Sequence, residues 1–474
     1  MPYVLIALFV TLISVLLIRT FSFKPNLFPT MKRHQQLDEN RVKQSLSEMI
    51  QFKTVSSLDD KKIDQKAFAS FRDYVKFRYP TICSSANYQE MGSAMLFHLK
   101  GKSDRFPIVM MAHYDVVPAK GVWQDDPFSG KITEDRIIGR GALDTKNSLC
   151  AVMEATEWLL NQNHVFEHDL YLAFSGDEEI GGPSAPMIRD YFKANNITPY
   201  LVLDEGGAIV SNMFPGVKQK SAVIGLSEKG FLILKLSAFS KGGHASAPPL
   251  VTPLSQLANA IVRLNKDRTF KMKITPVVGT MFDTIARHSE SFAIRMLFAN
   301  LWLFSPIVKW IAKKNGGPFM ALLKTTQAFT MAEGSDAINV LPNQASIGID
   351  YRLRPGESVD AVLTRIRRII NDETLKIEVI AQFDSPKESV MDEGYERLKE
   401  AINRTWPDVI VSPYLMTATS DSRHYHAISE RVFKFSPMDV SKTDLAMIHG
   451  DDESITIENL MNGVQFYINL LSQF

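Results

Sequence analysis

The chain has 474 residues, 45% apolar and 22% charged, which allows two or three domains and excludes a largely disordered protein. Its 53 Lys+Arg nearly match its 52 Asp+Glu, so no whole-molecule field draws it to nucleic acid, and no such partner is expected. Cys83 and Cys150 are the only cysteines, which excludes a disulfide scaffold and a thiolate-rich metal site; any metal must be held by imidazole and carboxylate.

Residues 3–18 are apolar apart from Thr11 and Ser14, and Arg19-Thr20-Phe21-Ser22-Phe23-Lys24 follows in place of a small-residue cleavage site. The segment is short against the roughly 20 residues of a spanning helix, and it lacks the basic start of a signal peptide. Residues 1–24 therefore read as an uncleaved hydrophobic anchor, with secretion after signal cleavage as the alternative. Arg19, Lys24, Lys32 and Arg33 favour a cytoplasmic body by the positive-inside rule. Many anchors of this kind export their bodies, so the side of the membrane stays open.

Residues 25–30 read as a linker. Helical apolar spacing runs over 37–52, at Leu37, Val42, Leu46, Met49 and Ile50, and a second helix is predicted over 64–79. Short apolar runs at 106–112, 170–174 and 200–203 read as buried strands. Each runs directly into chemistry-bearing residues: His113-Tyr114-Asp115, Gly176-Asp177-Glu178-Glu179 and Asp204-Glu205-Gly206-Gly207. Strands alternating with helices predict a mostly parallel α/β sheet, and such sheets carry their sites at the carboxyl ends of the strands.

The texture changes after residue 230. Strands over 231–240, 326–332, 345–353 and 375–383 and helices over 253–266 and 359–371 give the order β-α-β-β-α-β, a ferredoxin-like unit. Residues 272–324 interrupt it and contain the apolar stretch 292–311. A helix over 395–406 and a strand over 409–415 restore the first texture. The principal domain is thus expected in two segments, 35–227 and 387–474, around an inserted domain of 228–386.

His113 and Asp115 are two apart, so on an extended strand both side chains share one side, where a carboxylate can fix the imidazole tautomer. Taken alone, the pair equally fits a buried hydrogen-bonded histidine. Asp144 follows the glycines of Gly139-Arg140-Gly141 and precedes an amphipathic helix, so it fits an N-cap as well as a ligand. Glu178 and Glu179 repel each other unless a cation or proton intervenes; one could ligate while the other acts as general base, or both could sit in an exposed acidic loop. His449, in His449-Gly450-Asp451-Asp452-Glu453, reads alone as a surface histidine. Together, His113 and Asp204 could serve one divalent ion and Glu179 and His449 another, with Asp144 bridging. Four ligands each, counting a shared water or hydroxide, suit zinc.

At these residues the sequence resembles metallopeptidase family 20, the di-zinc aminoacylases, carboxypeptidase G and carboxypeptidase S, over nearly the whole chain after about residue 40. Within the family the likeness is to the Gly-Xaa carboxypeptidase S branch and the related N-fatty-acyl-amino-acid synthase/hydrolases, through Lys146-Asn147, Ser227-Glu228-Lys229-Gly230 and the insert with Leu301-Trp302-Leu303-Phe304. The resemblance implies an α/β di-zinc peptidase-like catalytic domain and an inserted ferredoxin-like α+β lid and dimerisation domain. It implies metal ligation by His113, Asp144, Glu179, Asp204 and His449, orientation of His113 by Asp115, and Glu178 as general base. Two Zn2+ per subunit are implied, with Co2+ or Mn2+ as substitutes.

Ser240-Lys241-Gly242-Gly243-His244-Ala245-Ser246 is similar to the family's lid motif, whose histidine stabilises the oxyanion, often from the partner in a homodimer. Asn339 and Arg352 match lid positions that help hold the transition state or the substrate carboxylate, a role suited to a guanidinium fork. Ser420 and Asp421 lie in a segment similar to one lining the substrate pocket. The implied activity is hydrolysis of the amide bond next to a C-terminal or N-acylated amino acid, in small peptides or N-acyl amino acids. The same residues would serve a condensing enzyme, and a binding protein of the same fold is the non-catalytic alternative. Residues 292–311 read as packing helices or a dimer contact, or as an acyl-chain wall or membrane-facing patch.

Overall fold

Asp38 opens the first helix after the amino-terminal segment, its carboxylate accepting the Arg41 amide, and Glu39–Gln51 then buries Val42, Leu46, Met49 and Ile50. Asp64 caps Gln65–Arg78 in the same way, accepting the amides of Lys66 and Ala67. The computed structural model describes residues 1–25, 32–212, 216–266 and 270–474; beyond Pro25, the expected linker lies outside the described residues.

Strands Ser103–His113, His168–Ser175, Leu201–Asp204 and Val432–Lys434 are mutually parallel and form the centre of a ten-stranded sheet. From Pro107 onward in the first strand and almost throughout in the others they are buried, as expected of strands covered on both faces. An antiparallel hairpin, Ala86–Met91 with Ala94–Leu99, extends one edge. Toward the other edge, Ser221–Glu228 pairs in parallel with Ile410–Met416. Helices Lys146–Asn161 and Ile457–Leu471 pack together, nearly every residue of each buried. Residues from both ends of the sequence therefore build one core.

The inserted sheet is antiparallel, in the order Thr326–Glu333, Gln344–Leu353, Gly230–Phe239, Lys376–Phe383. Helices Pro253–Lys266 and Val359–Ile370 contribute Leu257, Ala260, Val362 and Ile366 to the core on one face. Alternation along Gln344–Leu353 sends Ile347, Ile349, Tyr351 and Leu353 into that core and leaves Asp350 and Arg352 on the other face.

The interruption forms helices Pro276–Ala286, Phe292–Ala299, Leu301–Asn315 and Gly317–Ala321. Their core of Val278, Met281, Phe282, Ile285, Phe298 and Val308 includes Ile410 and Leu415 of the principal sheet. These helices belong in sequence to the inserted unit, but they cover an outer strand of the main sheet.

Candidate metal centre

Three parallel strands end on one side of the sheet. Ser103–His113 delivers His113, Leu201–Asp204 delivers Asp204 and Glu205, and His168–Ser175 leads into the turn Glu178–Ile180. Asp144 arrives on the glycine-bearing loop before Lys146–Asn161. There Gly141 has φ +88°, and a Cβ would stand 2.9 Å from Val116, so a side chain is excluded by conformation and by space.

His449 comes from the far end of the chain on a loop tied to the Asp144 loop. Strand Ser454–Thr456 pairs with Arg136–Ile138. The wholly buried Glu453 accepts the amides of Gly141, Leu143 and Asp144 at 3.1, 2.7 and 3.1 Å and pairs with Arg140 at 2.7 Å. Arg140 also donates to the Gly450 carbonyl. Losing one member of a buried pair typically costs about 3–5 kcal/mol, so Glu453 is a strong clamp on both loops. It holds His449 at φ +61°, a conformation that costs a non-glycine residue about 1–2 kcal/mol.

The two oxygens of Asp144 face different imidazoles. Oδ1 is 3.1 Å from His113 Nε2, and Oδ2 is 3.0 Å from His449 Nε2. His449 Nε2 is also 3.2 Å from Glu179 Oε2. The second neighbour of His113 Nε2 is Glu205 Oε1, at 3.3 Å. Asp204 is turned elsewhere, its Oδ2 accepting the Ser422 amide at 2.9 Å. Successive residues at a strand end point to opposite sides, and Glu205 takes the side facing His113. Two sets of side chains bring potential ligand atoms within 4.8 Å of one another: His113, Asp144 and Glu179, and His113, Glu178 and Glu205.

Asp115 has a different geometry from the one the spacing suggests. His113 Nδ1 lies 2.9 Å from the Asp115 backbone carbonyl and 3.4 Å from its carboxylate. That carboxylate accepts the amides of Glu178 and Glu179, at 3.1 Å each. Asp115 thus orients the imidazole through its backbone and the acidic turn through its side chain.

The electrostatics are those of an anionic pocket. Burial raises the Glu178 carboxyl well above its usual range; His113 opposes the rise, and Asp421, Glu205 and Asp115 add to it. Glu205 is pushed up to about 8 by burial and then by Asp144. Hydrogen bonds that His449 donates to Asp144 and Glu179 raise it to about 10. Asp144 is held low because bonds from His113 and His449 outweigh the effect of burial. Crowded carboxylates, two of them pushed upward chiefly by burial, and one buried oxygen of Glu179 making no hydrogen bond fit a site that takes cations.

The remaining sequence-predicted residues fall into two groups. Ser420 and Asp421 are buried beside the centre, with Asp421 pushed up to about 7 chiefly by burial. His244, Asn339 and Arg352 lie on the inserted unit. His244 is exposed, bonded through Nδ1 to Ser246 at 2.7 Å, and the Asn339 carbonyl accepts the Ala245 amide. Arg352 pairs with Asp350 at 3.1 Å on the open face of the inserted sheet. Sequence reasoning passed over Glu205, Glu453 and Arg423. The Arg423 guanidinium lies 4.0 Å from Glu178 and 3.9 Å from Asp421 and donates to the Ser420 carbonyl. The acidic pair 204–205 and the Asp421-Ser422-Arg423 run were the available signals.

A family model described as Peptidase family M20/M25/M40 matches residues 109–473, which contain all of these side chains. The chain belongs to peptidase family M20/M25/M40. The M20 family binds dinuclear metal, and this chain is an M20 metallopeptidase and amide-bond hydrolase. It is 34% identical over 448 residues to the probable carboxypeptidase S-like 2 of Dictyostelium discoideum, covering 92% of this chain and 85% of that one. It is 34% identical over 448 residues to the N-fatty-acyl-amino acid synthase/hydrolase PM20D1 of Mus musculus, covering 92% and 88%. The M20 metallo-carboxypeptidase Sso-CP2 of Sulfolobus solfataricus shares the fold, with a TM-score of 0.68 at 19% identity over 92% of this chain and 99% of that one.

Proposed function

We propose that the centre hydrolyses N-acyl amino acids, and that His113, Glu205 and Asp144 would hold one zinc ion and Glu179, His449 and Asp144 the other. The observation that carries the reading is the division of the Asp144 carboxylate between two imidazoles. In this reading Glu205, which faces His113, replaces Asp204, whose carboxylate accepts the Ser422 amide. Mixed nitrogen and oxygen donors suit zinc, with cobalt or manganese as substitutes, better than magnesium. When bound, the ions would polarise the scissile carbonyl and bring the pKa of water to about 7.

Glu178 takes the proton from the attacking water and passes it to the leaving amine. Arg423, beside Glu178 and Asp421, limits the negative charge around that base. His244 is the donor to the oxyanion, Asn339 supports its loop through its carbonyl, and Arg352 exchanges Asp350 for the substrate carboxylate. Ser420 and Asp421 line the pocket. Removing one oxyanion donor typically costs about 10²–10³ in rate. His244 and Asn339 reach the substrate by closure of the inserted unit or from a second copy. Exposed Leu250, Val251, Leu254 and Ile338 near them favour a homodimer through this unit. The dimer predicts a sedimentation mass of twice 53.4 kDa, and a monomer at working concentration overturns it.

A cavity of about 550 Å³ favours an acyl chain as the substrate's non-polar part. It is lined by Met281, Leu297, Phe298, Ile311, Phe319 and Tyr414, and it also reaches Thr417, three residues before Ser420. The amino-terminal helix Pro2–Ser22 anchors the chain in a membrane in this reading. Its packing on the rest of the protein favours retention over signal cleavage.

N-oleoyl, N-acetyl and dipeptide substrates, each with and without chelator, test the proposal. The expected result is fastest hydrolysis of the oleoyl compound, abolished by chelator and restored by zinc. Equal or slower rates with the long chain overturn the acyl reading, and chelator-resistant hydrolysis overturns the metal reading. Preference for synthesis would appear in the same panel run with free fatty acid and amino acid.

A further inference from the structure

We propose that the bent helix pair Phe292–Ala299 and Leu301–Asn315 is a second membrane contact, lying in the headgroup region of a phospholipid bilayer. The proposal rests on the reading of Pro2–Ser22 as a membrane anchor and adds a surface that holds the body of the enzyme against the lipid.

The anchor touches the body only near its carboxyl end. Leu16 and Thr20 are its buried residues. Asn300 Nδ2 donates to the Leu16 carbonyl at 3.4 Å and to Thr20 Oγ1 at 3.3 Å. Arg19 donates to the Ala299 carbonyl through Nε and Nη2, at 3.1 and 3.0 Å, and the rings of Phe21 and Phe292 lie 5.7 Å apart.

Depth follows from length. At about 1.5 Å per residue, the helix of 21 residues is about 30 Å long, the thickness of the hydrocarbon core. Arg19, in its last turn, is a cation that belongs outside the hydrocarbon core, so its last two turns end at the hydrocarbon boundary. The helices packed on those turns stand at the same level.

Their outward face suits that level. Trp302, Leu303, Pro306, Ile307 and Trp310 are exposed along one side of Leu301–Asn315, while Val308 and Ala312 are buried on the other. Trp302 is 58% and Trp310 61% exposed, which is unfavourable in water and suits the interfacial belt where tryptophan collects. Residues 291–332 contain no Asp or Glu but include Arg295, Lys309, Lys313, Lys314 and Lys324, cations matched to lipid phosphates. The two helices, 8 and 15 residues long, are bent at 115°, so the pair lies on the bilayer and does not cross it.

The tryptophans supply the test. The anchor contains none, and the chain has Trp123, Trp158, Trp302, Trp310 and Trp406. The full-length protein would be reconstituted into phosphatidylcholine vesicles with or without acyl-brominated lipid, which quenches only lipid-contacting indoles. Wild-type emission is expected to be quenched, and Trp302→Phe/Trp310→Phe to lose most of that quenching with hydrolysis of a soluble N-acetyl substrate unchanged. If the double variant does not fold, each single variant is expected to lose part of the quenching. Co-flotation of wild type with vesicles but no bromine quenching, or equal quenching in wild type and variants, overturns the proposal and leaves the anchor standing. Failure to co-float overturns both. The soluble-substrate assay reports the metal centre separately.

Discussion

Glu178→Gln lowers hydrolysis by about 10²–10⁴-fold, the usual worth of a positioned acid–base group, and leaves the bound metal unchanged. The amide has the shape of the carboxylate and cannot carry the proton from water to the leaving amine. Glu178 is one of two adjacent carboxylates, and it also stands in a possible ligand set with His113 and Glu205. Its neighbour Glu179 faces His449, whereas Glu178 faces Arg423 and Asp421, which separates the two roles. Metal analysis of the purified variant beside its turnover number decides the matter. Lost metal would make Glu178 a ligand, and retained activity would remove it from the chemistry.

Glu205→Gln reduces the metal content from two ions per chain to about one and abolishes turnover, because a ligating carboxylate is replaced by a neutral, weaker donor. Asp204→Asn keeps both ions, since an asparagine oxygen can still accept the Ser422 amide. Outer partners of a ligand typically alter affinity by about 10–100-fold, so a loss of that size is the upper bound for Asp204→Asn. Metal-to-protein ratios by atomic emission for the two variants form the comparison. Full metal in the first and loss in the second would return Asp204 to the centre.

These two residues also show what the sequence could and could not convey. The strand ends at His113, Glu178 and Asp204 were legible because buried parallel strands are continuous apolar runs, and an acid or histidine directly after one is conspicuous. The sequence reading names Asp204, and the structure sets Glu205 beside His113 and Asp204 on the Ser422 amide; which of the two faces His113 depends on which residue is last in the strand, and a shift of one reverses the side. Val432–Lys434 is too short for any period to appear, yet it completes the parallel centre of the sheet. The hairpin Ala86–Leu99 lacks strict alternation because its second strand is almost wholly buried. Asp115 meets His113 through its carbonyl at 2.9 Å as well as its carboxylate at 3.4 Å, and the carbonyl, an atom every residue has, leaves no trace in a side-chain pattern. The inserted sheet was readable because its strands and helices carry regular periods. The docking of the interrupting helices on Ile410 and Leu415 depends on tertiary packing that periodicity does not encode.

The proposed ion-binding groups divide across the insertion, with His113 through Glu205 before it and His449 after it. During translation, a ribosome that has added Glu205 must still add 243 residues before it reaches His449. The nascent polypeptide can therefore offer only an incomplete set of donors until its final segment emerges and Ser454–Thr456 joins Arg136–Ile138. On the proposed ligand set, hydrolytic competence therefore waits for the segment that carries His449, and a product terminated before it lacks that donor.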